Sequence, residues 1–278
     1  MILVTGATGN IGNALVHGLA ARDEAVRALA RNPDRARFPP TVDVVSADLE
    51  TLETVVPALV GIRKLFLLGG FATTDLLRRV REAGVEHIVL LTSRCVIGGK
   101  PDNAITRMWL DAEAAVRDSG VPWTILRPSG FHSNALRWLP QLQGGDVVRA
   151  PWPDVRIASI DPDDIAAVAA TVLTQRGYED TAPALSGPLP LTPGEQVGTL
   201  ARVLGRPLRY EPMTDHEARA QMETDTPASF IDAYFRFFTG GEFDDAGVVR
   251  SVQEITGHQP RSFEQWAHDH AHAFTNGV

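Results

Sequence analysis

Gly6, Gly9 and Gly12 in "VTGATGNIG" stand between an apolar run and a helical pattern. A strand that turns directly into a helix needs glycine for the bend and for close backbone approach to a ligand. The first N–H groups of the following helix have no partner inside it, and the helix dipole adds positive charge there. A pyrophosphate is the natural occupant. The spacing is G-x-x-G-x-x-G, a variant of the usual dinucleotide fingerprint. The next apolar run ends at "ALARNPDRAR", where an NAD-preferring protein commonly carries an acid for the ribose hydroxyls. This chain has Arg31, with Arg35 and Arg37 close behind. A guanidinium forks onto two oxygens of a 2′-phosphate and keeps its charge. The expected cofactor is therefore NADP(H) in preference to NAD(H), the alternative being that these arginines are solvated surface charges. In "SADLE", Asp48 and Leu49 could meet the adenine, although Asp48 could equally cap the next helix. Gly69 and Gly70 would let the chain run close to the ribose and pyrophosphate.

These residues need a frame. "MILVT", "AVRALAR", "TVDVVSA", "KLFLLG", "EHIVLLTS" and "WTILRP" read as buried strands. Helical patterns lie between them at 10–23, 51–60, 73–84 and 105–119. Strands alternating with helices imply a parallel sheet covered on both faces, and right-handed crossovers make it doubly wound. The fold class is α/β, a Rossmann sheet with a smaller α-rich substrate domain. The nucleotide-binding domain is expected over 1–130, with 155–180 returning to it. The smaller lid unit takes 131–154 and 181–278.

The 278 residues carry a net charge of −8, with 44% hydrophobic and 22% charged residues. No basic stripe is present, so nucleic acid is not an expected partner. No apolar run is long enough to span a bilayer. A single cysteine, Cys95, excludes an intrachain disulfide and fits a reducing cytoplasm, and no secretory signal precedes "ILVTG". In "FIDAYFRFF", Phe230, Tyr234, Phe237 and Phe238 share a helical face. That face is either core or the apolar wall of an aromatic substrate site, with Tyr234 a substrate contact. "HDHAH" sets His268 and His272 one helical turn apart but has no companion carboxylate motif, so no metal site is read from it.

The chain resembles the NmrA-like family of atypical short-chain dehydrogenases/reductases. The pieces that carry the resemblance are "LVTGATGNIG", "RALARNP", "ADLE", "REAGVEHIVLLTS", "SGVPWTILRPSGFHSN", "DPDDIAAVAATVL", "VLGRPLRYEP" and "EITGHQPRSFEQW", in family order over nearly the whole chain. The resemblance implies cofactor contacts at Gly6, Thr8, Gly9, Asn10, Ile11 and Arg31. It also implies a cleft lined by Gly69–Ala72, with Phe71, by Ser93–Val96 and by Pro128–Asn134, with Phe131 and Asn134 facing the substrate. Its members include quinone reductases, reductases of secondary metabolism and redox sensors.

A short-chain reductase usually protonates its substrate with a Tyr-x-x-x-Lys pair, the lysine lowering the tyrosine pKa. "ITRMWLDAEAAV", residues 105–116, has neither residue, and the tyrosines of the chain are Tyr178, Tyr210 and Tyr234. Sugar epimerisation and alcohol oxidation depend on that base. Hydride transfer to an already electron-poor ring does not, because the resulting anion is a weak base. The expected function is an NADPH-dependent reductase of a quinone, enone or similar electron-poor small molecule. Ser93 and His132 are the candidate proton donors, and Ser93 also borders the cofactor. The alternative is a non-catalytic NADP(H) sensor acting on a protein partner. Oligomeric state is not legible.

Overall fold

The computed structural model describes residues 1–275, with Arg35 and Thr275 described by backbone alone. The strands are β1 (Ile2–Val4), β2 (Val26–Ala30), β3 (Asp43–Ser46), β4 (Lys64–Leu68), β5 (His87–Leu91), β6 (Trp123–Pro128), β7 (Val147–Ala150), β8 (Ala184–Leu185) and β9 (Arg209–Pro212). The helices are α1 (Asn10–Ala20), α2 (Leu52–Val55), α3 (Thr74–Glu82), α4 (Ala104–Arg117), α5 (Leu139–Gln143), α6 (Pro162–Thr174), α7 (Pro193–Leu204), α8 (Asp215–Met222), α9 (Ala228–Phe238), α10 (Ser251–Thr256), α11 (Phe263–Asp269) and α12 (Ala271–Thr275). No helix among the described residues is long and apolar enough to cross a membrane.

The main sheet has seven parallel strands in the order β3-β2-β1-β4-β5-β6-β8. The winding reverses between β1 and β4, so a crevice opens beyond the strand ends at that point, where ligands of open α/β sheets bind. Strands buried on both faces read as continuous apolar runs, as "MILV" and "HIVLL" do. One face packs Leu15, Val16 and Leu19 of α1 against Ile165, Val168 and Val172 of α6. The other packs Leu76, Leu77 and Val80 of α3 with Val116 of α4. A separate core around Trp266, Val197, Leu200 and Val148 sits under the smaller unit, where β7 and β9 pair in parallel.

Three local features depart from the sequence pattern. The helix expected over 51–60 is one α turn followed by a 3₁₀ turn, Val56–Leu59, where Pro57 removes a backbone donor. The helical pattern at the C-terminal end breaks at His270, so His268 and His272 fall in different helices. The chain also returns to the main sheet more often than its composition suggests. Beyond residue 180, β8 pairs with β6, and α10 packs against α6 through Val252 in the α1–α6 core. Two residues of strand are too short for a periodic signal.

Candidate functional site

The loop after β1 owes its shape to its glycines. Gly6 has φ +60°, and a Cβ there would lie 2.5 Å from Leu68 Cδ1. A Cβ on Gly12 would run into the Gly6 carbonyl. Gly9 is the N-cap of α1 and supplies no side-chain cap, no acid stands in the first turn, and Thr8, Gly9 and Asn10 are exposed. A bare helix start above a cradle without side chains fits a dinucleotide phosphate. Ile11 is buried in the core, so only its backbone amide can serve a ligand. The loop is held from below by Thr5, whose hydroxyl donates to the Phe66 carbonyl and accepts from Leu68 N.

Arg31 follows β2 directly. It is exposed and forms no ion pair among the described residues. Arg37 instead turns back to donate to the carbonyls of Asp34 (2.9 Å) and Ala36 (3.2 Å), and the side chain of Arg35 lies outside the described residues. Asp48 accepts from Glu50 N at 3.1 Å, while Thr51 is the N-cap of α2, so Asp48 shapes the turn before the helix. Leu49 is half-buried beside it against the α3–α4 core.

Gly69 has a different reason from the one its position suggests. A Cβ there would meet the Leu91 carbonyl at 2.6 Å and the Trp109 ring at 2.7 Å, so the protein's own indole occupies that space. Gly70 faces open space. Trp109 belongs to the α4 stretch that lacks the tyrosine and lysine. One turn on, Glu113 is fully buried and takes Arg127 on both oxygens (2.9 and 2.6 Å), Arg117 at 2.8 Å and the Thr92 hydroxyl at 3.1 Å. Burial pushes its carboxyl up, but Arg127 and then Arg117 outweigh burial and hold it below the usual range. Glu113 is therefore an anion that pins α4 to β5 and β6, with no proton to give.

Ser93 is half-buried at the end of β5. Its Oγ accepts from Cys95 N at 3.3 Å as an N-cap, and its hydroxyl faces the Cys95 thiol, which burial pushes up and Ser93 holds down. His132, expected as a proton donor, is instead enclosed by the protein. It is 2% exposed, with Nδ1 2.9 Å from Ser159 Oγ and Nε2 3.3 Å from the Arg261 carbonyl. Burial pushes its pKa down to about 4, leaving a neutral ring held on both sides. Phe71 and Phe131 are half-buried at the ends of β4 and β6, and Asn134 is exposed. Tyr234 lies on α9, which packs against α4 around Cys95, Ile105 and Phe237. Its ring stacks on Phe238 at 6.3 Å, and Trp152, held at φ +55°, covers Phe238 at 4.7 Å. Among the described residues no cluster of His, Cys, Asp and Glu could hold a metal ion.

A family model described as NAD(P)H-binding matches residues 6–176. The chain belongs to this family. It is of the NmrA-like, atypical short-chain dehydrogenase/reductase type. Over 99% of both chains it is 42% identical to a (4-alkanoyl-5-oxo-2,5-dihydrofuran-3-yl)methyl phosphate reductase from Streptomyces griseus. Over 99% of both it is 32% identical to an NAD(P)H azoreductase from Xenophilus azovorans. The NADPH-dependent quinone oxidoreductase QOR2 of Escherichia coli, solved with NADPH, shares the fold at a TM-score of 0.81 with 24% identity, covering 99% of this chain and 100% of that one. The protein is an NAD(P)H-dependent oxidoreductase.

Proposed function

We propose that this oxidoreductase prefers NADPH and reduces an electron-poor small molecule, a quinone or an enone, by direct hydride transfer. The observation that carries the reading is the face of α4. It carries Trp109 against Gly69 and a buried, locked Glu113, and no tyrosine or lysine stands anywhere along it. A site without a strong acid suits an acceptor that is already activated.

Gly6, Gly9, Gly12 and the first amides of α1 would hold the cofactor's pyrophosphate, and Arg31 its 2′-phosphate. Bound NADPH supplies the hydride. The chain's own residues then orient the acceptor and stabilise the charge left on it. Ser93 would turn its hydroxyl from the Cys95 thiol to the acceptor's carbonyl oxygen and donate there, while water completes the protonation. Phe71, Phe131, Asn134 and the Tyr234 face would wall the acceptor. The relative from Streptomyces griseus supports the enone class, since its name spells out a ring alkene bearing an acyl group and a lactone carbonyl.

The test is NADPH absorbance decay with a panel of quinones and enones, corrected for the rate without enzyme. Saturable turnover with at least one acceptor is expected. Tight NADPH binding with no turnover across the panel would overturn the reading in favour of a redox sensor with a protein partner.

A further inference from the structure

Between α9 and α10, residues 239–250 form a strap without regular structure that returns across the ends of β5, β6 and β8. Glu242 pairs with Arg236 at 2.7 Å and accepts from Lys100 N at 3.3 Å. The Phe243 ring lies 5.4 Å from Phe237 in the α9 cluster. Val249 N donates to Ser186 Oγ at 2.9 Å, just beyond β8.

The middle of the strap is Asp245, 7% exposed. Its Oδ2 accepts from Gly130 N at 3.1 Å, and its carbonyl accepts from Ala158 N at 2.8 Å. Arg94, the residue after Ser93, lies 3.7 Å from Oδ1 and also donates to the Gly247 carbonyl. Asp245 Oδ1 and Ser129 Oγ are both buried without a well-formed hydrogen bond. A Cβ built on Gly130 would lie 3.9 Å from Asn134 Nδ2 and 4.0 Å from Asp245 Oδ2, so the carboxylate and the Asn134 amide flank the same short backbone. Burial pushes the carboxyl up, against Ser129, the Gly130 amide and Arg94, with Asp244 adding like charge. An apolar residue of similar volume would often serve stability as well as or better than a buried ion pair with incomplete hydrogen bonding. What the carboxylate adds is geometry. It joins the loop after β5, the loop after β6 and the strap at one point.

We propose that Asp245 is a positioning residue for the acceptor side of the cleft: it holds the backbone at Gly130, and with it the Phe131–Asn134 wall, while clasping the strap and the α9 aromatic face over the strand ends. The inference rests on the reading of those strand ends as the acceptor site. Among the described residues, the hydrogen bonds and ion pair of Asp245 go to Gly130, Ala158 and Arg94 and none to the glycine loop, so its effect separates acceptor from cofactor.

The experiment is Asp245→Asn in the full chain, with Asp244→Asn as control, assayed by steady-state kinetics and by amide hydrogen exchange. The expected result is an acceptor KM raised about tenfold with NADPH affinity within about twofold, since uniform binding to one substrate alone is lost. Exchange should quicken at 94–99, 130–134 and 239–250 and stay unchanged at 5–20. Arg94→Ala should give the same split, smaller in size, and serves if Asp245→Asn fails to fold. An unmoved acceptor KM, or NADPH affinity falling in step with it, would overturn the proposal. If the unaltered protein reduces no acceptor, the acceptor-site reading has failed. The exchange arm then judges the clasp alone, and unchanged protection at the three segments overturns it.

Discussion

The helices α1 and α6 lie side by side on one face of the sheet, and their N-termini are finished in opposite ways. The start of α6 is filled. Asp161 is its N-cap and accepts from Asp163 N at 2.9 Å, Pro162 opens the helix, and Asp163 and Asp164 stand in the first turn. The start of α1 has Gly9 for a cap, no side-chain partner and no acid. A sequence selected only for stability would treat both ends alike, since a cap is worth about 1 kcal/mol. The difference marks α1 as the end whose amides are kept for something other than the protein. A groove of 640 Å³ runs between the two, from Thr8–Asn10 to Trp266.

The contrast can be broken most severely at Gly12. Gly12→Ala drives a methyl into the Gly6 carbonyl. NADPH affinity should fall by about 100-fold, or ~2.8 kcal/mol, in a fluorescence titration. Retained affinity would mean that the cradle does not depend on its glycines. Making α1 resemble α6 comes next. Asn10→Asp puts an acid in the first turn, which should leave the melting temperature equal or slightly higher while weakening NADPH about tenfold, because the dipole now faces a like charge instead of a free site. If both quantities move in the same direction, the bare end is not a phosphate site. Arg31→Ala should weaken NADPH by a similar or smaller factor, about tenfold, and leave NADH within about twofold, which isothermal titration with both cofactors would read.

The α6 end should respond in stability alone. Asp161→Ala is expected to cost about 1 kcal/mol in denaturant unfolding without moving NADPH affinity. A pH dependence also belongs to this end only. Burial pushes the Asp164 carboxyl up to about 6. A carboxyl with a raised folded pKa contributes stability below its unfolded value near 4, and that contribution is lost as pH rises through about 6. The stability of Asp164→Asn relative to the unaltered chain should therefore rise between pH 4 and pH 7, by about 2 kcal/mol at most. His132, pushed down to about 4, titrates in the opposite sense in both proteins and cancels in that difference. A flat difference across the range would show that Asp164 is already relieved by the Arg261 amide that donates to it at 2.7 Å.

Legibility in the sequence follows sequence distance. The glycine turn, Arg31 at the end of β2 and the alternation of strands and helices are local patterns, and each appears where the periodicity puts it. The side proposed for the acceptor is assembled from far apart. Trp109 meets Gly69 across two elements, and Asp245 reaches Gly130 across 115 residues. No motif announces either contact, and Asp245 stands in a stretch without regular structure. His132 was misleading for a related reason: the Ser159 and Arg261 partners that bury it belong to distant segments. The aromatic face of α9 is visible as a stripe, but its partners on α4 and at Trp152 are not.

The two-residue strand β8 and the short helix α10 bear on how the chain is made. The sheet gains its outer edge at Ala184–Leu185, and the α1–α6 core gains Val252 only when α10 docks. As the polypeptide leaves the ribosome, the first half therefore waits, edge unpaired and core open, until α10 at Ser251–Thr256 has been synthesised. Such non-local closure slows folding and exposes sticky intermediates. Gene fragments ending near residue 180 should yield insoluble product, and the protein should fold as one cooperative piece with no autonomous first half.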